Sequence, residues 1–320
     1  MKLLKRVGAA LLALGAGGAT AQAPVAQTAA PVPVVETSAP APVVAQAPAA
    51  MVAAKPALWK LADADTTIYL FGTIHALPPE TRWQTAALDE ALGRSEELVL
   101  EAVLGDDPMA LAKVMMAKGV RPGLPPLSAR VPADKQAALA TAMAASGIPA
   151  ETLDRFETWA AALTLISLQV RQLGIDPASG VEHGLAAAAA KASRKVAGLE
   201  TVDQQMGFFD ELSEEAQRAL LVSALDDPAN AKAEFTAMLA AWQAGDVDGI
   251  ARTFDAETNM SAELKEVLMT RRNAAWATWL KTRLDTPGTV TVAVGAGHLA
   301  GADSVLSRLN ADGLTVERVQ

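Results

Sequence analysis

Two short segments of the chain carry residue types that catalysis or metal binding needs. The first reads GTIH and ends at His75, the second reads GAGH and ends at His298, and the whole chain has three histidines. An imidazole supplies either a neutral metal ligand or a proton carrier near neutral pH. Glycines such as Gly72, Gly295 and Gly297 let the backbone turn sharply and let a ligand approach. The repeated Gly-x-x-His spacing therefore predicts that His75 and His298 share one functional site.

Either chemistry needs an acid nearby, and two glutamates have a suitable position in the sequence. Glu101 and Glu200 each follow a short apolar run. A carboxylate there could complete a two-histidine, one-carboxylate metal site, or it could act as a general base on a water molecule. A structural alternative stays open, in which each histidine only ends a strand and hydrogen-bonds to the backbone.

The elements that must position these residues are strands. Residues 66–71 follow a predicted turn after residues 57–61, which indicates a hairpin whose second strand enters GTIH directly. Residues 289–294 form the clearest strand pattern, and they enter GAGH. A helix over 82–94 and a strand over 97–101 follow the first motif. If the strands are parallel, His75 and Glu101 lie at comparable heights, where ligand sites of α/β sheets occur.

The order of these elements predicts an α/β fold with a central mixed β-sheet flanked by helices. Residues from about 107 to 245 are rich in Ala and Leu with helical periodicity, which predicts a mainly helical inserted lobe. One strand, residues 195–199, interrupts this lobe and ends at Glu200. A further helix is predicted over 261–283, and a last strand over 314–319.

Arg272 and Asn273 lie on the predicted helix over 261–283. They could reach a bound carboxylate or carbonyl group, since the Arg fork suits planar anions, or they could pair with acids of the lobe. Trp276 and Trp279 are three residues apart on the same helix, which favours packing in the core. His183 lies outside both motifs, and we expect it at the surface near the start of a helix.

Composition and charge exclude several classes of function. The chain has no cysteine, which excludes thiolate metal sites, cysteine nucleophiles and disulfides. No Gly-x-Ser-x-Gly motif occurs, so a serine hydrolase of that type has little support. The formal net charge of −9 argues against nucleic acid and anionic membranes as partners. A peptide, an ester or a small molecule is the expected substrate.

The N-terminal region predicts export. Residues 1–23 have the plan of a secretory signal peptide, with basic residues, a short apolar run, and small residues that allow cleavage after Ala21 or Ala23. An uncleaved anchor is the alternative. Residues 24–56 are rich in Pro and Ala and predict a disordered linker. Residues 57–320 then form one domain in the periplasm or at the cell surface, with no transmembrane span after cleavage.

The sequence also resembles the TraB/GumN proteins. Five segments carry the resemblance in the family's order, and they cover most of residues 58–319 around the variable helical lobe. The segments are LWKLADADTTIYLFGTIHALP, LVLEA, GLETVDQQMGFFDELS, RRNAAWATWL and VAVGAGHLAGADSVLSRLNADGLTVERV.

The resemblance implies an α/β fold similar to that of the Tiki metalloproteases and, more distantly, of the erythromycin esterases. In Tiki proteins the paired histidines and a carboxylate are associated with metal-dependent peptide cleavage, and these correspond by position to His75, His298 and Glu101. It therefore implies that the three residues hold one divalent ion of the Mn, Co or Zn class. It also implies that Glu200 and Gln205 lie near the site.

Together these observations predict an exported hydrolase, in its most specific form a metal-dependent, peptidase-like enzyme. His75 and His298 would hold a metal ion or the reacting group, and Glu101 would ligate the ion or take a proton from water. The alternative is a binding or accessory protein in envelope or polysaccharide assembly that keeps the pocket without turnover. The sequence leaves the oligomeric state open.

Overall fold

The computed structural model of the chain describes residues 54–103, 109–254 and 261–320. The predicted signal peptide and the predicted linker up to residue 53 lie outside the described residues, so both stay predictions. The predicted domain, residues 57–320, contains the elements given below.

In these described ranges, six strands form one mixed sheet in the order β4-β3-β5-β2-β1-β6. The four strands β2, β5, β3 and β4 run parallel to one another, while β1 is antiparallel to both β2 and β6. This confirms the predicted α/β fold with a central mixed sheet. The strands are β1 (Leu58–Ala62), β2 (Thr66–Thr73), β3 (Glu97–Ala102), β4 (Lys195–Glu200), β5 (Gly288–Gly295) and β6 (Val316–Arg318).

The helices of the described residues lie between these strands along the chain. Most of them occur between β3 and β5, where β4 interrupts a mainly helical stretch. The α-helices are α1 (Ala86–Arg94), α2 (Ala110–Gly119), α3 (Gln136–Ser146), α4 (Ala150–Leu153), α5 (Thr158–Gln172), α6 (Val181–Lys191), α7 (Val202–Asp210), α8 (Glu214–Ser223), α9 (Pro228–Gln243), α10 (Val247–Phe254), α11 (Ala262–Lys265), α12 (Arg271–Leu284) and α13 (Val305–Ala311). Short 3-10 turns cover Leu127–Arg130, Ala133–Lys135, Pro177–Ser179 and Ala296–Leu299.

Alternating side chains of the strands pack against helices on both faces of the sheet. Val290 and Val292 of β5 belong to one apolar cluster with Trp276 and Leu280 of α12. Ala293, the residue after Val292 on β5, belongs to the second cluster, which contains the helical lobe. A strand exposes successive side chains to opposite faces, so a sheet covered on both sides needs apolar residues at nearly every position.

Two predicted helices begin or continue differently in the structure. The helix predicted over 82–94 begins at Ala86, because the Thr85 side chain accepts a hydrogen bond from the Leu88 amide and caps it there. The helix predicted over 261–283 is divided into α11, a π-helical turn over Glu266–Thr270, and α12. Such π turns insert one residue into a helix and are frequent at functional sites.

Within the described ranges, every helix is too short or too polar to cross a bilayer.

Candidate functional site

The predicted site residues meet at the carboxyl edge of the four parallel strands. Glu200 ends β4, Glu101 is the fifth residue of β3, and β5 and β2 lead into the turns that carry His298 and His75. Because the order of these strands is β4-β3-β5-β2, the acids lie on one side of the edge and the histidines on the other. Arg272 reaches this edge from α12. The structure thus brings together residues far apart in sequence.

The two histidine motifs touch through their glycine and alanine backbones. A Cβ atom added at Gly72 would lie 3.1 Å from both Cα and Cβ of Ala296, closer than side chains normally pack. The Gly72 carbonyl also accepts a hydrogen bond from the Trp242 indole at 2.8 Å. Gly72 therefore allows β2 and the turn after β5 to approach each other.

His75 is held by the start of α6, an element that sequence reasoning did not connect to the site. The Val181 amide donates to the Ile74 carbonyl at 3.0 Å, and a Cβ atom at Gly180 would lie 2.1 Å from the His75 carbonyl oxygen. This close approach brings Glu182 Oε1 to 2.5 Å from His75 Nδ1. The Thr73 hydroxyl donates to the same carboxylate.

The other ring nitrogen of His75 has no hydrogen-bond partner among the residues that the structure describes. His75 is 6% exposed, and its Nε2 atom is buried at 3.8 Å from Glu101 Oε1, beyond hydrogen-bond distance. Nδ1, by contrast, forms a close ion pair with Glu182 Oε1. A buried polar nitrogen that faces a carboxylate without contacting it is available to a reacting group.

Burial and charge act in opposite directions on His75 and on Glu182. Burial lowers the pKa of His75, but the charge of Glu182 and, less strongly, that of Glu101 outweigh it, and the pKa lies above 6.5. Burial raises the pKa of Glu182, but the contacts with His75 and Thr73 outweigh it, and the pKa lies below 4.5. The pair is therefore an imidazolium and a carboxylate below the pKa of His75.

The surroundings of His298 favour the neutral ring, in contrast to those of His75. Burial and the positive charge of Arg272 hold the pKa of His298 well below 6.5. Its Nδ1 atom lies 2.6 Å from Asn273 Oδ1, and the Asn273 amide donates to the Asp303 carbonyl at 2.8 Å, which fixes the orientation of the amide. Nδ1 therefore carries the proton, and the lone pair of Nε2 faces Arg272. Trp276 packs against the ring at a tilt of 51°, with centroids 4.4 Å apart.

Glu101 lies between the two histidines and Arg272. Its Oε1 atom accepts from the Gly295 amide at 2.6 Å and lies 3.8 Å and 3.9 Å from Nε2 of His75 and His298. Its Oε2 atom accepts from Arg272 at 2.7 Å and from Gln205 at 3.4 Å. One oxygen thus faces both histidines, and the other is held by a cation.

Glu200 is the second acid bound by Arg272. It accepts from Arg272 Nε at 2.9 Å, from the Trp276 indole at 3.0 Å and from Gln205 at 3.1 Å. A capping box between Thr201 and Gln204 begins α7 directly after Glu200. This start places Gln205 one turn into the helix, beside both acids.

The predicted metal ligands converge, but they do not fit a metal ion as they are arranged. Glu101 Oε1 lies 3.8 Å from His75 Nε2 and 3.9 Å from His298 Nε2, so it is the charge beside these atoms, more than their spacing, that opposes a metal ion. Arg272 also lies 3.2 Å from His298 Nε2 and 2.7 Å from Glu101. Across the described ranges, no three or more His, Asp or Glu side chains are grouped to hold a metal ion. The metal remains a prediction from the resemblance.

Sequence reasoning missed two residues of this site. Glu182 has no motif of its own, and its only signal is an acid two residues after Gly180 at the start of a helix. Trp276 is buried in the core as expected, but it also contacts His298 and Glu200. His183, expected at the surface, is half-buried on α6, and its Nδ1 atom is buried with no hydrogen-bond partner within the described ranges.

Gly297 lies in the 3-10 turn that carries His298, where its carbonyl accepts from the Ala300 amide at 3.4 Å. Arg272 pairs with Glu101 and Glu200, near the ends of β3 and β4. Of these two acids, only Glu200 lies within the predicted lobe.

Comparison with curated proteins gave no match, and neither did comparison with solved structures. A family model described as the TraB/PrgY/gumN family matches residues 57–318, which include every residue of the site. On the strength of this match, the chain belongs to the TraB/PrgY/gumN family.

Proposed function

We propose that this chain is an exported hydrolase of amide or ester bonds, with His75 and Glu101 as its acid–base pair. The observation that carries the proposal is the buried Nε2 atom of His75, which has no hydrogen-bond partner in the described part of the chain and faces Glu101 across 3.8 Å. General acid–base catalysis needs two titratable groups of different charge state beside one reacting centre. The raised pKa of His75 supplies the acid form, and a carboxylate supplies the base.

In the proposed reaction, Glu101 takes a proton from water as the water oxygen attacks the acyl carbon. His75 donates its Nε2 proton to the leaving nitrogen or oxygen as the acyl bond breaks. Glu182 contacts Nδ1 and favours the protonated ring, so it positions His75 without contacting the substrate. The Gly295 amide fixes Glu101 Oε1. These steps use residues of the chain alone.

Burial of the site favours a second candidate, a binding or accessory protein in envelope or polysaccharide assembly. His298 is fully buried, and both polar groups of its ring are occupied by Asn273 and Arg272. A turnover site needs a path for substrate, so a closed polar network also suits a structural role. Export to the periplasm or cell surface is part of both proposals.

A cleavage screen separates the two candidates. The purified mature protein is incubated with peptide and ester libraries, with and without a chelator, beside the variants Glu101→Gln and Glu97→Gln. Both glutamates lie on β3, but Glu97 is at the opposite end of the strand, where it pairs with Lys195 at 2.8 Å. The hydrolase proposal expects cleavage that Glu101→Gln abolishes and Glu97→Gln retains. If no library is cleaved but a peptide or ester still binds to the protein, the result supports the accessory protein.

A further inference from the structure

We infer that Arg272 is the resident cation of this site and that it takes the place of a divalent metal ion. The inference concerns the site of the proposed function, but it does not depend on turnover. It contradicts the prediction that His75, Glu101 and His298 hold a divalent ion, and it is argued from the contacts of the Arg272 side chain.

Every N–H group of the Arg272 guanidinium has a partner. Nε donates to Glu200 at 2.9 Å, Nη2 donates to Glu101 at 2.7 Å and to Glu200 at 2.9 Å, and Nη1 donates to the Leu268 carbonyl at 3.2 Å. The fifth donor, on Nη1, faces His298 Nε2 at 3.2 Å. A guanidinium has five donors, and none of them is left for a substrate or solvent.

The surroundings of the guanidinium bury it and hold it in one position. Its Cζ atom lies 4.7 Å from the Trp276 ring centroid and 5.7 Å from that of Phe208, and Arg272 is 3% exposed. The π-helical turn directly before α12 supplies the Leu268 carbonyl to which it donates. Aromatic faces and carboxylates on several sides hold a planar cation in one orientation.

These contacts use the atoms that a metal ion would need. His298 could bind a metal only through Nε2, because Nδ1 carries the proton given to Asn273. That Nε2 lone pair accepts from Arg272, and the same guanidinium forms ion pairs with Glu101 and Glu200. A divalent ion beside His298 would therefore lie against a buried positive charge, and like charges in a poorly solvated site repel strongly.

Removal of the guanidinium should convert the same donors into a metal site. Arg272→Met replaces the cation with an unbranched apolar side chain. Two buried carboxylates and a neutral histidine are then left without a positive charge. Buried charges without partners are costly, so a divalent ion that binds them stabilises the folded state. Arg271→Met is the matched control, because Arg271 is exposed and its side chain pairs with Glu266.

The experiment measures metal content and metal-induced stabilisation. Wild type, Arg272→Met, Arg271→Met and the double variant Arg272→Met/His298→Ala are dialysed against Zn²⁺ or Mn²⁺ and then against buffer. Each protein is analysed by mass spectrometry for bound metal and by thermal melting. We expect no stoichiometric metal in wild type and in Arg271→Met. We expect about one ion per chain in Arg272→Met, lost in the double variant.

Two results would overturn the inference. One is wild-type protein that retains about one ion per chain which His75→Ala and His298→Ala each release, a measurement that does not need the Arg272 variant to fold. The other is a folded Arg272→Met protein that takes up no metal, which would show that Arg272 does not occupy a cation site. Neither result depends on hydrolysis, so failure of the inference and failure of the proposed function are distinguishable.

Discussion

Glu182 sets the charge state of His75, and this gives a prediction at the level of one residue. Without the carboxylate, burial dominates and the pKa of His75 should fall. If His75 is the proton donor, the rate falls as pH rises through this pKa, and Glu182→Gln should move that fall to lower pH. The measurement is a pH–rate profile together with histidine titration by NMR.

Glu215→Gln is the matched control for this variant, because Glu215 also lies in the first turn of a helix but is exposed. Its profile should coincide with that of wild type. An unchanged alkaline limb in Glu182→Gln would show that Glu182 does not position His75.

His298 gives a second prediction, on stability. Its pKa lies well below 6.5 in the folded protein, so only the unfolded chain takes up this proton between pH 6.5 and 5. Stability should therefore fall with acid in that window, by at most about 1.4 kcal/mol per pH unit for one proton. The raised pKa of His75 acts in the opposite sense: its contribution to stability grows as pH falls and is complete about one unit below 6.5, so it partly offsets the His298 slope at the upper end of this window.

Urea unfolding of wild type and His298→Gln at several pH values measures this slope. The variant should be less stable at pH 7 but flatter between pH 6.5 and 5. A wild-type stability that does not change across this window would mean that His298 is not held neutral by its surroundings.

At the scale of elements, the approach of α6 to the end of β2 depends on Gly180. A methyl group at this position would lie 2.1 Å from the His75 carbonyl, so Gly180→Ala must separate the helix from the strand. We expect a loss of about 1–3 kcal/mol in stability, typical of overpacking, and a fall in the pKa of His75 as Glu182 moves away.

Gly207→Ala on α7 is the control for this substitution, since a Cβ atom there meets nothing within 4 Å. It should leave the site unchanged and stabilise its helix by about 0.5–1 kcal/mol. Calorimetric melting curves of both variants measure these changes in stability. Equal melting temperatures would contradict the required contact between α6 and β2.

The strands and the residues at their carboxyl ends could be predicted because short-range patterns define them. Apolar runs that enter GTIH and GAGH predicted β2 and β5, and the acids after two further runs predicted β3 and β4. The insertion of β5 between β2 and β3 could not be read from these patterns, because it is a long-range pairing.

Glu182 could not be predicted for a related reason. Its partner His75 lies more than a hundred residues earlier, and only the folded approach of α6 brings the two together. The π-helical turn before Arg272 was also missed, since its residues have ordinary helical periodicity. Local periodicity does not report where a helix gains one residue.

At the scale of the whole molecule, export is the prediction that can be checked without a substrate. Expression in a Gram-negative host should place the protein in the periplasmic fraction, cleaved after Ala21 or Ala23. Intact-mass analysis of that fraction gives the N-terminus directly. Full-length protein retained with the membrane would favour the uncleaved anchor.

The proposal as a whole depends on whether the two histidine motifs form one hydrolytic site. The most direct measurement is kcat/KM of wild type, His75→Gln and the control His183→Gln on a substrate found in the cleavage screen, with melting curves for each. We predict that His75→Gln remains folded and loses about 100-fold or more of its activity, while His183→Gln retains it. A folded His75→Gln protein with activity within about threefold of wild type would contradict the proposal.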